Sequence, residues 1–179
     1  VRRQQEFAAG RMAARAAMLR LGRKPEPIPM KSDRSPNWPS GLVGSISHSQ
    51  TTCVAVVALD CSWQSVGVDV EPDLSLSADL WDSILAPEEM QRVRQIPNEF
   101  QGRWAMRVFC AKEAYYKWVY PRIRMMLNYH DVIIDTCSNL DDAAFEVRPL
   151  NHIAKRETHA AIKGSLVTDQ NLIVSLIIA

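Results

Sequence analysis

The stretch Ser65-Val66-Gly67-Val68-Asp69-Val70-Glu71-Pro72 alternates strictly. A two-residue period is a strand signal that sends Val66, Val68 and Val70 to one face and Gly67, Asp69 and Glu71 to the other. The two carboxylates then stand side by side, separated by roughly 6.5 to 7 Å along the strand axis. Both cannot stay ionised in a half-buried place without a cation between them. Hard oxygen donors suit Mg2+ or Mn2+, which takes one or two carboxylates and completes its shell with phosphate and water. The plain alternative is a solvated outer strand face, and the rest of the chain bears on the choice.

With 179 residues, 47% of them hydrophobic, the chain can bury a core, as one domain or as two small lobes. A net charge of +1 argues against general nucleic-acid binding. No apolar run approaches the ~18 residues that span a bilayer, and no signal-peptide pattern is present, so no membrane partner is expected. The cysteines at 53, 61, 110 and 137 have no metal spacing, which reads as reduced thiols in a cytoplasm. Because the chain opens on Val1 inside a helical pattern, a further N-terminal segment is expected before it.

Outward from the acidic stretch, residues 3–21 read as a helix closed by Gly22, with Phe7, Ala14, Met18 and Leu21 as its apolar stripe. Arg11 lies about 40° from Phe7 around that helix and Arg15 about 80°. Such an arginine pairs with a structural acid or belongs to an anion site. Residues 24–40 hold five of the ten prolines and no regular period; they read as an ordered loop with Lys31 as its candidate ligand-facing charge. Residues 41–60 read as a hairpin whose second strand, 53–59, is apolar enough to be buried on both faces. Ser45, Ser47, His48 and Ser49 gather polar groups near the end of its first strand. A lone histidine there is structural unless the acidic strand lies beside it.

Residues 76–85 and 87–96 read as short helices, and 99–120 as a long one ended by Pro121. On the long helix Trp104, Val108, Ala111, Tyr115 and Trp118 fall within about 40° of one direction and form a core stripe. Glu113 and Lys117 point the opposite way, among Met106, Phe109 and Tyr116. An i,i+4 Glu–Lys pair is ordinarily surface decoration, but with Lys112 it forms a third acid beside two phosphate-seeking amines. Residues 122–129 make a basic, methionine-rich loop directly after this helix, and Arg122, Arg124, Met125 and Met126 suit an acidic partner around a small apolar contact. An exposed basic turn with core methionines is the alternative. Segments 132–134, 144–148, 159–167 and 172–178 read as strands, with Asp169-Gln170-Asn171 turning the last hairpin. The order of elements implies an α+β protein in two similar halves, 1–85 and 86–179.

Three motifs in order, WPSGLVGSISHS at 38–49, VGVDVEP at 66–72 and FCAKEAYYK at 109–117, resemble the 4′-phosphopantetheinyl transferases of the surfactin and enterobactin type. The opening RRQQEFAAGR at 2–11 resembles the enterobactin branch. The resemblance is specific over residues 2–120 and loose afterwards. It implies a pseudo-twofold, two-lobed fold with coenzyme A in the cleft between the halves. It implies a monomer that moves the phosphopantetheine arm onto a serine of an acyl or peptidyl carrier protein, releasing adenosine 3′,5′-bisphosphate. Asp69, Glu71 and Glu113 would hold Mg2+ on the pyrophosphate, and Glu113, directly or through water, would take the serine proton. Lys117, with Lys112 close by, would offset charge on the phosphate. His48, with Ser47 beside it, matches the position at the coenzyme A 3′-phosphate, and Arg11, Arg15 and Lys31 match basic positions around the nucleotide. Two rivals use the same residues otherwise: a Mg2+-dependent phosphohydrolase or nucleotidyl enzyme, although no P-loop or second metal cluster is present, and a non-catalytic nucleotide-binding or carrier-binding scaffold.

Overall fold

The core stripe of the long helix organises the molecule: Trp104, Val108, Ala111, Tyr115 and Trp118 are all buried and pack with Ile134, Phe145, Ile173 and Ile177 from a sheet beside it. The computed structural model describes residues 2–49, 52–136, 144–150, 152, 155, 162–169 and 171–179. In chain order the elements are α1 (Arg2–Arg20), β1 (Leu42–Ser49), β2 (Thr52–Leu59), β3 (Val66–Pro72), a 3₁₀ turn (Ala78–Leu80), α2 (Trp81–Ile84) and α3 (Pro87–Val93). There follow α4 (Asn98–Ile123), a second 3₁₀ turn (Tyr129–Asp131), β4 (Val132–Thr136), β5 (Ala144–Pro149), β6 (Ile162–Asp169) and β7 (Leu172–Ile178).

The strands form two antiparallel sheets, β1–β2 and the five-stranded order β3-β7-β6-β5-β4. The α+β class read from the sequence is the class observed. α1 packs on the β1–β2 hairpin, where Ala14, Met18, Ile28 and Leu42 form a smaller core, and α4 packs on β3 and β7. Gly22, at φ 76, ends α1, and Arg23 N–H then reaches back to Met18 O at 2.9 Å, the bond pattern of a glycine-closed helix.

Several elements differ from the reading. α4 runs through Pro121 to Ile123. Proline removes its own N–H donor and crowds the carbonyl four residues back, yet near the end of the helix the next turn still closes by Arg124 N–H to Tyr120 O at 2.9 Å before Arg124 breaks the helix at φ 52. The helix expected over 76–85 is a 3₁₀ turn followed by one α-helical turn, and α3 stops at Val93. β2 is mostly half-buried rather than covered on both faces, since among the described residues it pairs with β1 alone. The strand expected over 159–167 is described from Ile162 and runs two residues further, to Asp169; residues 159–161, Gln170 and Cys137 lie outside the described set. β3, by contrast, is buried on both faces through Val70, which removes the solvated-strand alternative.

Candidate active site

β3 contacts both β1 and α4, and its acid-bearing face meets each. The contact with β1 is made by side chains. Ser45 accepts Val68 N–H at 3.0 Å, Ser47 donates to Asp69 Oδ1 at 2.7 Å and Ser49 donates to Glu71 Oε2 at 3.3 Å. Alternation puts these three hydroxyls on one face of β1, where they stitch together strands that belong to different sheets.

The contact with α4 depends on Gly67. A Cβ there would stand 2.0 Å from Ala114 O and 2.7 Å from Trp118 N, so only glycine permits this approach. The approach brings Lys117 Nζ to 2.5 Å from Asp69 Oδ1 and 2.8 Å from Ser47 Oγ. Asp69 is 2% exposed, and its other oxygen, Oδ2, is buried and takes no hydrogen bond among the described residues. Burial, followed by the charge of Asp69, pushes the Glu71 carboxyl up to about 7, with a smaller push from Glu113; Ser49 and Lys117 act in the opposite sense. Glu113, one turn before Lys117, accepts the Tyr129 hydroxyl on Oε1 at 2.5 Å. Burial, and then that bond, raises the Tyr129 pKa, so the phenol remains a donor.

Lys117 lines a cleft of ≈ 360 Å³ together with Lys31, Ser45, Tyr116, Tyr120 and Arg124. Asp33 stands at this cleft and accepts from Tyr120 Oη and Arg124 Nη1, both at 3.1 Å. Hydrogen bonds from the Ser35 side chain and backbone, with lesser help from Tyr120 and Arg124, hold Asp33 down at about 2. A second pocket of ≈ 210 Å³ has Glu113 and Tyr129 on its wall. Tyr116 and Met126 line both spaces, and the Tyr116 hydroxyl lies 2.6 Å from Met126 Sδ.

Of the residues singled out in the sequence, Ser47, Asp69 and Lys117 bond one another directly, Glu71 feels the charge of Asp69, and Glu113 stands one helical turn from Lys117. Lys112 does not join them, and its reading as a phosphate-seeking amine is corrected. Its ammonium is 1% exposed and bonds Glu89 Oε2 at 2.5 Å, Ile84 O at 2.8 Å and Tyr129 O at 2.8 Å, which uses its three donors. Burial lowers its pKa against the opposing pull of Glu89. The angle was available in the sequence, because residue 112 lies about 40° from the core position Val108 on a helix.

His48 is exposed and alternates with Ser47 and Ser49, so it shares the face of Ile46, which meets Gly10 of α1. Arg11 and Arg15 lie with Phe7, Ile28 and Pro29 around an open groove separate from the Lys117 cleft. Among the described residues of that groove Arg11 meets no acid; it donates from Nε to Ile28 O at 2.6 Å and lies 4.4 Å over the Phe7 ring. Burial lowers its pKa. Of the basic loop, Arg124 and Met126 line the cleft, Arg122 stacks 4.9 Å over Trp118 and Met125 is half-buried. The sequence reading missed Tyr129 and Asp33, because neither carries a local pattern that points to the residues it touches.

Among the described residues no three His, Cys, Asp or Glu side chains are grouped closely enough to hold a metal by themselves. The acids still fit a hard cation that completes its shell with phosphate and water: Asp69 has a buried oxygen to offer, and burial beside Asp69 disfavours the bare charge of Glu71.

Residues 1–58 match the 4′-phosphopantetheinyl transferase N-terminal domain, and residues 65–176 match the 4′-phosphopantetheinyl transferase superfamily. The chain belongs to that superfamily. It is 38% identical over 135 residues to the 4′-phosphopantetheinyl transferase PptT of Mycobacterium tuberculosis, covering 74% of this chain and 58% of that protein. It is 36% identical over 118 residues to enterobactin synthase component D of Escherichia coli, covering 65% and 54% respectively. The chain thus spans little more than half the length of these relatives. Among solved structures, holo-ACP-synthase from Plasmodium yoelii aligns with a TM-score of 0.48 at 19% identity, over 64% of this chain and 91% of that one. Among the described residues no helix is long and apolar enough to cross a membrane.

Proposed function

We propose that this superfamily member transfers the 4′-phosphopantetheine arm of coenzyme A to a serine of an acyl or peptidyl carrier protein, releasing adenosine 3′,5′-bisphosphate. The observation that carries the reading is the convergence of Ser47, Asp69 and Lys117 at 2.5 to 2.8 Å, with Glu71 coupled to Asp69 by charge and Glu113 one turn away. In this reading Asp69, Glu71 and Glu113 hold Mg2+, or Mn2+, at the pyrophosphate. When bound, the ion would neutralise charge on the leaving 5′-phosphate of adenosine 3′,5′-bisphosphate and orient the attacked phosphorus. Lys117, on the cleft wall, would offset charge on the phosphate, and Glu113, directly or through water, would take the proton of the carrier serine. His48 serves the 3′-phosphate, and Arg11, Arg15 and Lys31, the last on the same cleft as Lys117, serve as basic positions around the nucleotide. Arg122, Arg124, Met125 and Met126 form the docking side for an acidic carrier. The working halves are 1–85 and 86–179, with the protein acting as a cytoplasmic monomer.

The test is to incubate the protein with coenzyme A, Mg2+ and an apo carrier protein, then weigh the carrier. A gain of one phosphopantetheine supports the transferase. Release of phosphate or nucleotide without that gain favours a hydrolase, and no product of either kind favours a scaffold.

A further inference from the structure

Lys112 and Glu113 are neighbours in the chain, yet their side chains leave α4 in different directions, and one residue touches both. Tyr129 presents its backbone carbonyl to the Lys112 ammonium at 2.8 Å and its hydroxyl to Glu113 Oε1 at 2.5 Å. Its ring also packs against Phe109, centroid to centroid 5.7 Å. Tyr129 is thus fixed at three points. The Lys112 end of this arrangement is rigid. Glu89, 0% exposed, takes Lys112 on Oε2 along with Ala86 N–H at 2.8 Å, and takes Ile134 N–H on Oε1 at 2.8 Å. Lys112 also holds Ile84 O at 2.8 Å. One buried ion pair therefore ties the end of α2, the start of α3, α4 and the middle of β4 to the carbonyl of Tyr129.

We propose that Tyr129 is a positioning residue for the proposed transfer: its hydroxyl occupies one oxygen of Glu113 and so turns the other toward the reacting groups, while the Lys112–Glu89 pair holds the tyrosine in place. Resting on the function proposed above, the inference adds a role for the buried lysine that is structural. A carboxylate on a helix keeps free rotation about its side-chain bonds unless a donor fixes it, and partners that orient a ligating carboxylate typically matter by 10- to 100-fold in metal affinity or activity.

Tyr129→Phe tests this, because it removes the donor and keeps the ring on Phe109. With coenzyme A present, Mn2+ binding followed by electron paramagnetic resonance is expected to weaken by about 10-fold or more, and kcat to fall by about the same factor. KM for coenzyme A and for the carrier should stay within about twofold, with Tm unmoved. Incorporating 3-fluorotyrosine at 129, which restores the hydroxyl donor, should return both constants to near those of the unsubstituted protein. Wild-type Mn2+ affinity and kcat in Tyr129→Phe would overturn the proposal. So would failure of the fluorotyrosine rescue, or a loss that comes with a lowered Tm and moves every constant alike. An unsubstituted protein that transfers nothing sinks the transferase reading instead, and the Mn2+ comparison, which needs no turnover, still decides the role of Tyr129.

Discussion

Replacing Gly67 by alanine should separate the halves of the site without touching a single functional side chain. The added Cβ would meet Ala114 O at 2.0 Å, Trp118 N at 2.7 Å and Trp118 Cβ at 2.8 Å. Two of these three atoms are helix backbone, which cannot rotate aside, so α4 and β3 must move apart by more than about 1 Å to restore ordinary van der Waals contact. Overpacking of a close-packed contact costs about 1–3 kcal/mol. For a chain of this size that lowers Tm by roughly 2 to 12 °C, at about 2–4 °C per kcal/mol. The functional loss should be larger. Lys117 lies 2.5 Å from Asp69, and a displacement of about 1 Å at a reacting centre can cost ~10²-fold in rate. Differential scanning calorimetry and carrier-mass kinetics on Gly67→Ala check both parts. A Tm within about 1 °C of wild type with kcat within about twofold would refute the reasoning that glycine sets the α4–β3 distance.

Other substitutions probe the remaining parts of the site. Asp69→Ala or Glu113→Ala should reduce transfer by at least ~10²-fold while circular dichroism is unchanged; near-normal turnover by Glu113→Ala would remove it from the proposed chemistry. His48→Ala should weaken coenzyme A much more than dephospho-coenzyme A in calorimetric titration, by the ~1.5–3 kcal/mol of a charge-assisted hydrogen bond, whereas equal losses would return His48 to a surface role. Asp33 is depressed from its ordinary 3.8 to about 2, so its contribution is fully present above about pH 4 and is lost as pH falls toward about 2. The Ser35 amide, which donates to Asp33 Oδ1 at 2.9 Å, should lose exchange protection over that range in wild type and lack it throughout in Asp33→Ala, which removes the acceptor; equal protection in both proteins would argue against the contact.

The elements that carry the chemistry were legible where their pattern is local. Strict alternation specifies β3 and which of its side chains share a face, and the 3.6-residue period specifies the buried stripe of α4 and the opposite face that bears Glu113 and Lys117. These signals need only neighbours in the chain, and the superfamily motifs are built on the same short segments. What the periods could not state is which distant segment each face would meet. Ser47 and Asp69 are 22 residues apart, and Lys117 and Asp69 are 48 apart. They meet because β3 pairs with β7 and because Gly67 admits α4, a packing outcome with no local counterpart. Lys112 beside Glu113 looked like part of one charged cluster until burial of Glu89 claimed it, since a buried carboxylate needs a paired cation more than an exposed site needs a second amine. Tyr129, 16 residues beyond Glu113, opens a short 3₁₀ turn in a stretch whose sequence shows no period, and only the tertiary contacts of its carbonyl, ring and hydroxyl decide where it points.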